Sequence, residues 1–211
     1  LRLPAGEAEG IAQAIVEAKT RIFPCPKCGN FTDVSPCAIC SDPNRRQDRL
    51  LFYPFDSVEP FLRLLSEAAE RPDVLSIKIT IYRLASSSKI AHILCRAAEN
   101  GKEVLVLMEL RARFDEANNV AWSELLEEAG CQVVYGMEGF KCHSKICLIT
   151  LRDKGKMRYI TQIGTGNYNE KTNAMYTDLC LMTADQTIGE DAAAFFRNML
   201  VNKLDGTYQQ L

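Results

Sequence analysis

From residue 49 onward, the apolar positions alternate between a period of two and a helical spacing. Residues 50–54 (Leu-Leu-Phe-Tyr-Pro) form an apolar arm that runs into an Asp56-Ser57 helix start. Glu59 and Pro60 fall in the first turn, and the helix continues to about residue 70. Residues 74–84 alternate and are β-branched, which predicts a buried strand. A helix follows over 89–100, stopped by Gly101, then a strand over 103–111. A helix over 116–129 is closed by Gly130, and a third strand covers 132–136. Residues 144–151 and 157–163 read as a strand pair joined through Gly155. A short strand at 179–183 and a helix at 188–200 finish the series. Strands alternating with helices and then a hairpin predict an α/β sandwich with a mixed sheet. No internal repeat or low-complexity tract interrupts it.

The first 48 residues have a different character. Ile11, Ala14, Ile15, Ala18 and Ile22 recur at helical spacing, so a short amphipathic helix is expected over 7–22, ending before Pro24. Two C-x-x-C knuckles follow, Cys25-Pro-Lys-Cys28 and Cys37-Ala-Ile-Cys40, eight residues apart. Four thiolates this close can form a tetrahedral site, the usual arrangement for structural zinc; a redox pair and two disulfides are the competing readings. The segment has little apolar content, so metal would supply much of its folding free energy.

Composition sets the wider frame. With 47% hydrophobic and 25% charged residues, the chain can fill an ordinary globular core. No apolar run reaches membrane-spanning length and no signal-peptide pattern opens the chain, so a cytoplasmic location is expected. In such a reducing setting the nine cysteines point to metal binding and buried thiols. Cys95, Cys131, Cys147 and Cys180 sit in apolar contexts and are expected as core thiols. The net charge of −2 gives no global reason for a polyanion partner. Between residues 141 and 180, however, seven Lys or Arg face three acids, an excess of four positive charges. Lys154 and Lys156 belong to a solvated hairpin. Lys141 and Lys145, on either side of His143, are the better candidates for contact with a polyanion.

The chemistry centres on Gly139-Phe-Lys-Cys-His143-Ser-Lys145, entering the apolar run 146–151. A histidine two residues before a lysine is expected on the same face of a strand. Imidazole can act as a nucleophile or proton carrier near neutral pH, and an ammonium beside it favours an anion. The Gly164-Thr-Gly-Asn167 turn lets backbone N–H groups approach a phosphate. Together they suggest phosphoryl chemistry on His143. The other histidine, His92, reads as a hydrogen-bonded core residue of a helix.

Two resemblances add to this reading. Residues 3–45, through Cys25-Pro-Lys-Cys28-Gly-Asn and Cys37-Ala-Ile-Cys40-Ser-Asp-Pro43, resemble the zinc-finger region of the RecR recombination-mediator family. The Toprim domain that follows in that family is absent and its preceding helix-hairpin-helix is reduced to a stub, so the family's DNA-clamp function does not carry over. Residues 49–200 resemble the first phospholipase-D-like catalytic domain of the polyphosphate kinase family. That likeness is carried by Tyr53-Pro-Phe-Asp56-Ser, Ile77-Lys-Ile-Thr-Ile-Tyr82-Arg83, Glu109-Leu-Arg-Ala-Arg113-Phe-Asp115-Glu116, the His143 stretch, Gly164-Thr-Gly-Asn167-Tyr-Asn169 and Tyr176-Thr-Asp178.

The second resemblance implies that His143 accepts the γ-phosphate of ATP and passes it reversibly to polyphosphate. Arg83 and Arg113 take positions the family associates with phosphate and Mg²⁺; physically, both read as bidentate phosphate clamps. Lys145, Gly166 and Asn167 would hold phosphate oxygens, and Tyr176 would contact the nucleotide. Phospholipase-D phosphodiesterases use H-x-K, four residues, then Asp; that position here is Thr150, which weighs against phosphodiester hydrolysis. The family's second catalytic domain, with its own histidine and arginine, is not found among these 211 residues. Little turnover is therefore expected from the chain alone, and another chain or an oligomer would have to complete the site. The expected organisation is a helix and zinc ribbon over 1–48 and a phospholipase-D-like domain over 49–211. The competing function is a non-catalytic zinc-dependent module that holds nucleic acid or another polyanion. The abrupt junction near residues 46–50 also suggests a fragment or chimera.

Overall fold

The structure, a computed structural model, describes residues 23–24, 31–32, 48–109, 116–136 and 139–211. The helix expected over 7–22 lies outside the described residues. The chain divides into two units, Leu1–Gln47 and Asp48–Leu211. In the first, β1 (Phe23–Pro24) pairs antiparallel with β2 (Phe31–Thr32), with Pro24 opposite Phe31. In sequence, the Cys25-Pro-Lys-Cys28 knuckle falls between these two paired strands.

The second unit is built on a seven-stranded mixed sheet. Its strands are β3 (Arg49–Tyr53), β4 (Val74–Ile81), β5 (Glu103–Met108), β6 (Gln132–Tyr135), β7 (Ile146–Asp153), β8 (Lys156–Gly164) and β9 (Asp178–Thr183). The order across the sheet is β3-β9-β8-β7-β4-β5-β6. Parallel pairing is confined to β4-β5-β6; every other neighbour is antiparallel. The helices are α1 (Glu59–Glu70), α2 (Lys89–Glu99), α3 (Glu116–Glu128), α4 (Glu170–Asn173) and α5 (Gln186–Leu200).

Strand alternation divides the core into two layers. Val104, Val106 and Met108 of β5, with Cys147, Ile149 and Leu151 of β7, join Phe61 and Leu65 of α1, Leu94 of α2 and Trp122 of α3 on one face. Leu105, Leu107, Ile146 and Leu148 point the other way, onto Ala192 and Phe196 of α5. The expected α/β sandwich with a mixed sheet is present.

Four local expectations change. Residues 49–53 are an edge strand rather than an arm: Leu51 and Tyr53 are buried and Leu50 is exposed, the alternation that pairing with β9 requires. The 170–173 helix has no counterpart in the sequence pattern, since four residues carry no period. Asn169 starts it by accepting the Lys171 and Thr172 N–H groups. His92 is exposed on α2, with its ring edge-on to Trp122 at 5.3 Å, and is not a core residue. The fourth change concerns His143 and Lys145 and belongs to the site. Cys95, Cys131, Cys147 and Cys180 are buried as expected, and burial pushes the Cys131 thiol up to about 12. The β7-β8 hairpin turns at Lys154-Gly155; the left-handed backbone at Gly155 (φ 78°) suits glycine, and Lys154 and Lys156 are solvated.

Candidate functional site

The sheet topology brings distant segments to one edge. β4 and β5 are parallel, so their C-terminal ends share a side. β7 runs against β4, which places its N-terminal end there, and β8 and β9 add an end and a beginning. Tyr82-Arg83, Glu109, the 139–145 segment, the 164–167 turn and Asp178 therefore converge. Carboxyl ends of parallel strands are where open α/β sheets place ligands.

The sequence pattern puts His143 and Lys145 at the entry of a strand. The structure starts β7 at Ile146, because the Thr80 hydroxyl takes over the ladder there. It donates to the Ser144 carbonyl at 2.8 Å and accepts the Ile146 N–H at 3.1 Å. Both backbone groups are satisfied by a side chain in place of a ladder partner, so the strand begins only at Ile146. His143 is exposed, while Lys145 is buried with its ammonium donating to the His143 carbonyl.

The two residues still meet, at Tyr82. Its ring packs edge-on with the His143 imidazole at 5.0 Å. The same ring has the Lys141 ammonium at 4.6 Å, the Lys145 ammonium at 5.5 Å and the Arg83 guanidinium at 5.6 Å. Arg83, Lys145 and His143 are thereby brought together. Burial, then Lys145, then Lys141, lower the His143 pKa below the ordinary histidine value. Burial also lowers Lys145, with Lys141 adding to the effect and Cys142 and Asp178 opposing it. A neutral imidazole beside ammonium groups can attack an electrophile while the cations hold its negative charge.

Buried polar groups fix this arrangement. The Asn119 side chain is fully buried and donates to the carbonyls of Tyr82 (3.0 Å) and Glu109 (3.1 Å). Glu109, itself buried, accepts the Cys142 N–H at 3.0 Å, one residue before His143.

The 164–167 turn forms the adjoining wall. The Gly164 N–H donates to the Lys145 carbonyl at 3.0 Å. Thr165 zips the turn to β9: its N–H donates to the Leu179 carbonyl, and its hydroxyl donates to Asp178 and accepts the Leu179 N–H. Gly166 lies so close to Asp178 that an added Cβ would sit 2.5 Å from the carboxylate. The Asn167 side-chain oxygen is buried and has no hydrogen bond among the described residues. Past the turn, Glu170 accepts the Lys89 N–H (2.8 Å) and the Ile90 N–H (3.3 Å), capping α2 from another part of the chain. Lys171 reaches the Ser86 hydroxyl at 3.3 Å. Gln162 backs the turn, accepting from the Tyr168 hydroxyl and donating to Cys180.

Tyr176, just before Asp178, presents an exposed ring. Arg113 and the cysteines Cys25, Cys28, Cys37 and Cys40 lie outside the described residues. Sequence reading gives no separate role to Tyr82, Glu109, Asn119 or Asp178. Tyr82 and Glu109 are visible there as polar or aromatic residues at strand ends; Asn119 carries no such signal. Thr150, at the phosphodiesterase aspartate position, is buried in β7 opposite Tyr159.

A family model described as polyphosphate kinase C-terminal domain 1 matches residues 41–205, and one for the four-cysteine zinc finger domain of RecR matches residues 22–42. The polyphosphate kinase of Staphylococcus saprophyticus is 46% identical over 170 residues, covering 81% of this chain and 24% of that protein. The crystal structure of polyphosphate kinase from Porphyromonas gingivalis is 39% identical with a TM-score of 0.68, covering 77% of this chain and 27% of that one. Nuc from Salmonella typhimurium, a phospholipase D family member, shares the fold at 14% identity and a TM-score of 0.57, covering 79% of this chain and all of that one. The chain spans about a quarter of the length of the curated relative it matches. With the first model covering most of its residues, the chain belongs to the polyphosphate kinase family.

Proposed function

We propose that residues 49–211 form one wall of a phosphotransferase site that moves the γ-phosphate of ATP through His143 to polyphosphate. The observation that carries this is the exposed His143 imidazole packed on the Tyr82 ring that also gathers Lys141, Lys145 and Arg83, with burial and the two lysines lowering its pKa. An imidazole nitrogen attacks the γ-phosphorus, a P–N bond forms, and the bond to the ADP oxygen breaks. The terminal oxygen of polyphosphate then attacks the same phosphorus and frees the imidazole. The cations offset charge on the transferring group, and covalent capture divides the transfer into two steps.

Lys145, Asn167 and the Gly166 backbone hold phosphate oxygens, Arg83 and Arg113 clamp them, and Tyr176 meets the nucleotide. Among the described residues no cluster of three or more His, Cys, Asp or Glu could hold a metal. Magnesium would arrive carried by the ATP phosphates and would neutralise their charge; the guanidinium groups of Arg83 and Arg113 have no lone pair with which to ligate it. Thr150 in place of a phosphodiesterase aspartate agrees with transfer rather than hydrolysis.

Residues 1–48 are proposed as a separate zinc ribbon. Cys25, Cys28, Cys37 and Cys40 supply four thiolates, and the β1-β2 pairing brackets the first knuckle as a zinc hairpin would. The RecR-type match is to a four-cysteine zinc finger, and the second reading proposed for this part is that it holds nucleic acid or another polyanion.

Incubation with γ-phosphate-labelled ATP tests the main reading. An acid-labile label on the wild-type chain that is lost in His143→Ala supports it, and an unlabelled wild-type chain overturns it. Net polyphosphate synthesis by these 211 residues alone is expected to be slight, since they span about a quarter of the length of the polyphosphate kinase they match. DNA binding that falls steeply with salt and disappears on chelation would support the second role.

A further inference from the structure

Tyr82 follows the last residue of β4, is 9% exposed, and faces one imidazole and three cations. A tyrosine kept for packing alone would be surrounded by apolar side chains. We propose that Tyr82 is a positioning residue: its ring gathers Lys141, Lys145 and Arg83 beside His143 and sets the imidazole before any phosphate arrives. This rests on the reading of His143 as the phosphoryl acceptor.

The physical need is plain. Three positive groups drawn to one small region repel one another. The electron-rich face of an aromatic ring offsets part of that repulsion without supplying a carboxylate that would compete with phosphate. The edge-on contact restricts the imidazole at the same time. The ring itself cannot drift. Asn119 holds the Tyr82 carbonyl and the Glu109 carbonyl together, and Glu109 holds the Cys142 N–H. The platform and the backbone that carries His143 are thus fixed to one buried amide.

Charged or titratable groups face His143 from several elements. Lys141, Cys142 and Lys145 belong to its own segment, Arg83 follows β4, Glu109 follows β5, and Asp178 opens β9 beside Lys145. Loss of the ring would release the lysines. Their effect on the imidazolium would weaken, and the His143 titration would move upward.

Three measurements on the purified chain test the proposal. In NMR spectra of the wild type, the ε-methylene protons of Lys141 and Lys145 are expected upfield of those of solvated lysines, through the ring current of Tyr82. Tyr82→Phe should keep this shift and bind tripolyphosphate within about twofold of wild type. Tyr82→Leu should lose the shift, raise the His143 titration midpoint and weaken tripolyphosphate binding by about five- to tenfold. A folded Tyr82→Leu chain with wild-type binding and an unmoved His143 titration overturns the proposal. If Tyr82→Leu does not fold, the wild-type spectrum decides, since unshifted lysine methylenes overturn it without any variant. If ATP leaves no label on wild-type His143 while these signals behave as expected, the phosphoryl-acceptor reading falls and the platform stands.

Discussion

The 139–145 segment and the 164–167 turn meet through the hydrogen bond from the Gly164 N–H to the Lys145 carbonyl, yet they are built by opposite means. The first presents side chains: an exposed imidazole, one exposed ammonium and one buried ammonium arranged around an aromatic ring. The second presents backbone, zipped to β9 by Thr165 and pressed so closely on Asp178 that glycine is the residue that fits at 166. A side-chain wall can lose one group and keep its shape. A backbone wall fails as a unit when its spacing is disturbed. Substitutions on the two sides should therefore differ in kind as well as in size.

The largest effect should come from the backbone wall. Gly166→Val drives atoms into the Asp178 carboxylate and displaces the turn, so tripolyphosphate affinity measured by calorimetry should fall about ten- to a hundredfold. A drop below about threefold would show that the turn tolerates repacking and that the two walls are not so different.

The side-chain wall should show a graded response. Lys145→Met removes a buried ammonium and should weaken tripolyphosphate binding by about tenfold. Lys141→Met removes an exposed one and should cost about twofold. Equal losses at the two positions would mean that burial does not separate their roles.

A smaller effect is expected where the turn is anchored. Asn169→Ala removes the acceptor for the Lys171 and Thr172 N–H groups and should cost about 1 kcal/mol. Calorimetry should then show a fall in Tm of about 2–4 °C, with no change in the His143 titration.

The smallest effect concerns pH. The folded chain holds His143 below its ordinary pKa, so the unfolded chain binds more protons in the interval between the folded value and 6.5. The resulting penalty is full below the folded pKa and is relieved as pH rises through that interval. Because His143 is exposed, the slope should be slight, and it should vanish in His143→Gln. The labelling rate by ATP should follow the neutral imidazole, reaching half its plateau below pH 6.5. A half-maximum above 6.5 would reverse the assigned sign.

The sheet and its two layers are legible in the sequence because β5 and β7 are near-continuous apolar runs that fill both faces, while β4 alternates Ile77, Ile79 and Ile81 with polar residues. Edge strand β3 is harder to read: its run of apolar residues hides an alternation that only pairing with β9 reveals. The start of β7 escapes the pattern for a different reason. Hydrophobic periodicity cannot show that the Thr80 hydroxyl, from a strand far back in the chain, satisfies the backbone in place of a ladder partner. His143, Lys145 and the glycine turn stand out as chemistry at local spacing. Tyr82, Glu109 and Asn119 acquire their meaning from the convergence of three strand ends, which is a long-range property.

The Glu170 carboxylate offers one more consequence. It sits just past the 164–167 turn, yet it protects the first two amides of α2. Those amides are therefore a built-in gauge of the turn's position. In hydrogen exchange, Lys89 and Ile90 should lose protection whenever the turn lifts, and should regain it when a bound anion holds the turn down. Two backbone protons on a helix outside the site would report how often its glycine wall opens.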